Sequence, residues 1–237
     1  MNSSVYAEVI PSTDPRLTRQ ILLDERSREW PLTLVGSPAV DKSTWRSSTV
    51  RIYDPTPNPN QTVGNCTTCS KAMQLNSHGN RKQGVRLDMP WALEAYVWET
   101  HNDSFQGAWN LDGSGQDTGS SGLYACETAQ HLGVGGDYYW VFGGADEVVQ
   151  NVVDGRAISV GTKWYNDMFT LGKGNRVTVG GSLAGGHQWT VHGYNADRDL
   201  LKGRCWWGPE FRDFWIARGD LDALLKDNGD AHWQARA

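Results

Sequence analysis

Asn60-Gln61-Thr62-Val63-Gly64-Asn65-Cys66-Thr67-Thr68-Cys69-Ser70-Lys71-Ala72 is the stretch whose reading decides the fold. The proline-rich run Asp54-Pro55-Thr56-Pro57-Asn58-Pro59 delivers an extended backbone to it. A loop then carries a glutamine, a glycine and a cysteine. The residues from Cys66 to Leu75 read as a short helix, closed by the turn residues Asn76-Ser77-His78-Gly79-Asn80. A cysteine at a helix start is chemically suggestive. First-turn N–H groups and the positive dipole end favour a thiolate, and a nearby amide side chain can donate to an oxyanion. A free cysteine is also a small buried hydrophobe, so both readings of Cys66 stay open at this point.

Outward from that stretch the chain divides by periodicity. Residues 1–50 read as an N-terminal extension packing across the domain, with loop character over 35–49. Asp88 and Pro90 mark an N-cap and an early helical proline. Trp91, Ala95 and Trp98, with Leu93, Tyr96 and Val97 beside them, predict a helix buried nearly all round. Residues 101–122 are polar and rich in glycine and serine, a loop. Ser120 or Ser121 caps a further helix to about Leu132, stopped by Gly133 and Gly135-Gly136. Ala145, Val148, Val149 and Val152 give a third helix, ending at Asp154-Gly155. Alternation then takes over. Strands are expected over 158–164, 176–179, 189–194 and 214–217, with a hairpin turn at Gly172-Lys173-Gly174 and a terminal helix around Leu221, Leu224 and Leu225. Helices first and antiparallel strands second predict an α+β fold. The expected division is a domain over 51–237, with a helical lobe over about 51–155, a β lobe over about 156–237 and a cleft between them.

At 237 residues the chain is long enough for one sizeable core. A net charge of −5 argues against a nucleic-acid partner or an anionic membrane surface. No apolar run reaches the roughly 18 residues of a membrane span, and the N-terminus shows neither a basic region nor an apolar stretch, so no secretory signal is expected. The four cysteines form one C-x-x-C pair, Cys66 and Cys69, without the second pair that a zinc site needs. No metal or cofactor is expected. Twelve tryptophans suit core and interface packing.

A cysteine nucleophile needs a base. His187 follows Gly185-Gly186 and begins an alternating strand. The two glycines allow another backbone to come close. His192 lies five residues on and points to the opposite face. Gln61 with Gly64-Asn65-Cys66 resembles the glutamine–glycine–cysteine stretch of papain-like cysteine peptidases. Gly185-Gly186-His187, followed by Val191-His192-Gly193-Tyr194-Asn195, is similar to their histidine strand. Cys205-Trp206-Trp207-Gly208 stands where that family has Asn-Ser-Trp-Gly, and Asp117-Thr118-Gly119-Ser120 resembles the opening of its second helix. A closer resemblance is to a divergent papain-like group found in bacteriophages and actinobacteria. It is carried by residues 24–28, Trp140-Val141-Phe142 and the run from Gly161 to Phe169.

The resemblance implies a papain-like fold and roles by matched position. Cys66 would be the nucleophile, His187 the general base, Gln61 an oxyanion donor beside the Cys66 N–H, and Trp207 a shield over the imidazole. Two departures stand out. Cys205 replaces the asparagine that orients the histidine, and a thiol is a weak hydrogen-bonding group. The loop from Gln61 to Cys66 is also one residue short. Two readings follow. One is a phage-encoded hydrolase of peptide or isopeptide bonds, acting on a peptide or cell-wall peptide with impaired activity. The other is an inactive papain-fold structural or binding protein of a virion head or tail, partnered by other virion proteins.

Overall fold

The computed structural model describes residues 5–36, 39–82 and 84–237. The reading of the first four residues, and residues 37–38 of the expected loop, lie outside them. Among the described residues five α-helices and two antiparallel sheets make an α+β fold. The helices are α1 (Cys66–Leu75), α2 (Met89–Asn102), α3 (Gly122–His131), α4 (Gly144–Val153) and α5 (Arg218–Lys226). A small sheet pairs β1 (Val5–Glu8) with β2 (Ile21–Asp24). The large sheet runs β4 (Gly135–Trp140), β9 (Asp230–Arg236), β5 (Ile158–Tyr165), β6 (Leu183–Asn195), β7 (Leu200–Arg204), β8 (Asp213–Ala217). The short β3 (Ser48–Thr49) also pairs with β6.

Two hydrophobic clusters hold this together. One joins the sheet to α4 and α5 through Val148, Val149, Val152, Ile158, Val160, Trp164, Trp189, Phe214 and Leu221. The other joins α1 to α2, α3 and Trp206 through Cys69, Ala72, Met73, Leu75, Ala92 and Ala129. The helix starts follow capping chemistry. The Asp88 carboxylate accepts from Trp91 N–H at 3.4 Å, and a proline follows in the first turn of α2. That helix is less enclosed than its pattern predicts. Pro90, Glu94, His101 and Asn102 are exposed, while Trp91 and Trp98 are half-buried and Trp98 stacks on His131.

Three strands have no strong sequence signal. β4, β7 and β9 carry glycine, arginine, glutamine or histidine at buried positions. The strand expected over 176–179 is not formed. Asn175 has φ of 59°, and Gly172 N–H donates to Arg176 carbonyl at 2.8 Å. That tight turn leaves room for a single bridge from Arg176 to Trp215 and one bond from Val177 N–H to Trp215. The tryptophans pack mostly inside: Trp164, Trp189 and Trp206 are fully buried, and Trp30 is exposed. Among the described residues no helix is long and apolar enough to cross a membrane.

Candidate active site

The loop before α1 is sewn to the chain around Cys205. Gln61 N–H donates to Trp206 carbonyl at 2.7 Å, and Gly208 N–H donates to Pro59 carbonyl at 2.8 Å. The Asn58 amide donates to the Cys205 and Gly208 carbonyls at 3.0 and 2.8 Å. The rest of the loop is fixed from the other side. Gly64 N–H donates to the Asp117 carboxylate at 2.8 Å, and Tyr96 hydroxyl holds the same carboxylate at 2.5 Å. A β-carbon at Gly64 would overlap Asp117 and Thr18, and would sit 2.6 Å from the Tyr96 hydroxyl. Only glycine fits there. These bonds deliver Cys66 to the first position of α1, where it is fully buried.

His187 comes from the middle of β6, paired with Thr162 of β5. Its ring is boxed by aromatics, with Trp207 at 4.4 Å and Trp164 at 5.2 Å between ring centroids. Nε2 lies 3.2 Å from Cys205 Sγ. Trp207 also fixes the glutamine. Its indole N–H donates to Gln61 Oε1 at 3.1 Å, which aims the amide nitrogen the other way. That nitrogen donates to Val63 carbonyl at 2.8 Å and faces Arg16 carbonyl at 3.5 Å. His192 points elsewhere, between Val50 carbonyl and Asp213.

The space over these groups is filled by the protein's own N-terminal segment. Arg16 carbonyl stands 3.2 Å from His187 Nδ1. The Arg16 guanidinium covers Trp207 at 4.6 Å and is paired with Asp14. Thr18 hydroxyl donates to Gly64 carbonyl at 3.0 Å, and Arg19 N–H donates to Gly186 carbonyl at 3.0 Å. Leu17 is fully buried. Gly185 and Gly186 make this possible, because β-carbons there would strike Leu17 and Arg19. So the close approach that the paired glycines predict is to residues 12–19.

Burial governs the electrostatics. The thiol of Cys66 is pushed up to about 12 by burial, against the Gln188 N–H that favours its thiolate. Burial pushes His187 down to about 3, with the Arg16 carbonyl opposing. In this state the pair is a neutral thiol and a neutral imidazole, and no hydrogen bond joins Cys66 Sγ to His187 among the described residues. An unfolded histidine takes a proton below about 6.5, and the folded one refuses it down to about 3. Stability from this group is therefore present above pH 6.5 and is lost as pH falls towards 3. Urea midpoints should drop by an amount worth about 2 kcal/mol between pH 8 and pH 5, and His187→Gln should flatten that slope.

The structure thus brings together His187, Cys205, Gln61 and Trp207, with Cys66 at the start of the helix that follows the Gln61 loop. The Gln61 amide nitrogen is occupied by the carbonyls of Val63 and Arg16. All four cysteines are free and buried, and among the described residues no cluster suits a metal. Sequence reasoning missed Arg16, Thr18, Tyr96 and Asp117, whose roles come from distant parts of the chain. Better enclosed space lies elsewhere. A hollow of about 340 Å³ between Leu22–Arg28 and Trp140–Phe142 is lined by none of these groups.

The α+β fold, with its helices and antiparallel sheet in this order, is papain-like. The chain superposes on xylellain, a cysteine protease from Xylella fastidiosa, with a TM-score of 0.67 over 96% of this chain and 99% of that one, at 14% identity. It is similar to a procathepsin B from Trypanosoma congolense, with TM-score 0.58, 13% identity, and 94% and 87% covered. It is also similar to a Carica candamarcensis cysteine protease, with TM-score 0.51, 14% identity, and 79% and 93% covered. No family model and no curated protein matches the sequence.

Proposed function

We propose that the chain is a thiol peptidase of papain-like fold, held closed by its own residues 12–19. One observation carries this reading. A peptide carbonyl, that of Arg16, is held between His187 Nδ1 at 3.2 Å and the Gln61 amide at 3.5 Å. In this reading His187 is the base and Gln61 the oxyanion donor, and a peptide carbonyl resting between them supports it. With the segment lifted, His187 takes the Cys66 proton and the thiolate attacks the substrate carbonyl carbon. The oxygen, now negative, is met by Gln61 and the Cys66 N–H. His187 returns the proton to the leaving amine, and water releases the acyl group from sulfur. Trp207 keeps water off the imidazole. The substrate is a peptide or isopeptide. Cell-wall peptides, and the narrower likeness to the group found in bacteriophages and actinobacteria, rest on sequence motifs alone.

The second reading, a papain-fold scaffold without activity, is favoured by the full burial of Cys66 and by Cys205 in the asparagine position. Hydrolysis of fluorogenic peptides separates the two. Cys205→Asn should raise turnover by about tenfold or more, because an amide oxygen holds the imidazole better than a thiol does. Activity in either protein must vanish on Cys66→Ala. If neither protein hydrolyses any peptide, even after the segment is removed, the scaffold reading stands.

A further inference from the structure

Four arginines converge on one open hollow of about 470 Å³, on a protein whose net charge is −5. Arg51 comes from the strand-like stretch before Tyr53. Arg81 and Arg86 come from the turn between α1 and α2, and Arg212 from the residues before β8. Among the described residues none of the four is in an ion pair. Among the described residues the one carboxylate lining the hollow is Asp54, and Arg204 holds one of its oxygens at 3.1 Å. Four like charges around one lining carboxylate, whose field Arg212 shares with Arg204, leave the hollow with an excess of positive charge.

The arginines are also arranged. The Arg51 and Arg81 guanidinium groups sit 4.7 and 4.5 Å from the Tyr53 ring centroid, which limits their freedom before any ligand arrives. The Arg212 Nε–H is buried and has no partner. Thr56 adds a hydroxyl at the rim. Planar forks of paired N–H donors match phosphate oxygens two at a time.

We infer that this hollow binds a small anion carrying two or more phosphate groups, in contact with Arg51, Arg81, Arg86 and Arg212. The site has a path to the candidate active site. Arg212 carbonyl accepts from Cys205 N–H at 3.2 Å, and Cys205 is the partner of His187. The binding claim stands whether or not the chain is a peptidase.

Calorimetric titration of the full chain with inorganic tripolyphosphate at low salt tests it. One saturable site is expected, weakening steeply as salt rises. Arg81→Gln should weaken binding by about tenfold, and the double change Arg81→Gln with Arg86→Gln should abolish it. Arg81→Lys keeps the charge but loses the fork, and should fall in between. Lys226→Gln, a surface cation elsewhere, should leave affinity unchanged. Because Arg81 and Arg86 are exposed, these variants keep the fold. Adenosine triphosphate supplies the second arm. Binding equal to tripolyphosphate assigns the phosphates alone, and tighter binding adds the base. No saturable heat, unchanged affinity in the double variant, or equal affinity for citrate would each overturn the proposal. So would binding of an oligonucleotide by a chain that ignores tripolyphosphate.

Discussion

A chain lacking residues 1–16 should alkylate at Cys66 about 100-fold faster with iodoacetamide at pH 7 than the intact chain. Buried and pushed up to about 12, Cys66 is almost entirely protonated at neutral pH, and the thiolate is the form that reacts. Residues up to 16 supply the carbonyl that occupies His187 Nδ1 and the guanidinium that covers Trp207. Taking them away returns water to the loop and frees the imidazole to face the thiol. Both changes lower the Cys66 pKa, and a fall of two to three units raises the thiolate fraction 100-fold or more. The main anchors remain, since Leu17, Arg19 and Ile21 are fully buried and lie after the cut. A second readout guards against simple loosening. The His187 ring should titrate closer to 6.5 in the shortened chain when followed by NMR, because burial is what holds it at about 3. An unchanged labelling rate in a folded shortened chain would mean that the segment is not what silences Cys66.

Much of this site can be read from the chain, and the reason is local. Gln61, Gly64 and Cys66 fall within six residues, and the glycine pair before His187 announces a close approach. The substitution at Cys205 is visible as a missing amide, and its sulfur does stand 3.2 Å from the imidazole. The α+β order is also legible, since apolar spacing of three and four changes to alternation after Gly155. What escapes is non-local. Residues 12–19 have no periodicity, yet they lie on β6 and α1 because Leu17 and Arg19 have buried partners far along the chain. β9 escapes for another reason. Asp230-Ala231-His232-Trp233-Gln234 is polar, yet these strand residues are nearly all buried, with Trp233 the half-exposed one. A polar strand inside a sheet is stable only when specific partners satisfy it, and no sequence period encodes partners. His232 is fully buried beside Cys126, whose sulfur also meets the Lys71 ammonium at 3.1 Å.

Those partners make Arg19 the most consequential single residue of the segment for stability. Arg19→Met should cost about 3–5 kcal/mol in urea unfolding. The Arg19 side chain is fully buried and its guanidinium pairs with the Asp230 carboxylate, which is itself 3% exposed. Burial alone would raise the Asp230 pKa. Arg19, with His232 beside it, outweighs that and holds the carboxylate below its usual range. Methionine fills similar space but leaves the carboxylate buried without its cation. Its neighbours do not replace the arginine, because His232 Nδ1 lies 3.8 Å from the other Asp230 oxygen and Lys71 is engaged with Cys126. The double change Arg19→Met with Asp230→Asn should therefore recover much of the loss, since an uncharged pair needs no counterion. Acid provides an independent check. Asp230, held low in the native protein, contributes stability above about pH 4 that is lost as pH falls towards its folded pKa. In Arg19→Met that contribution is already gone, so the gap between the two proteins should narrow steadily below pH 4. A gap that stays constant there would place the cost of the substitution in packing rather than in the ion pair.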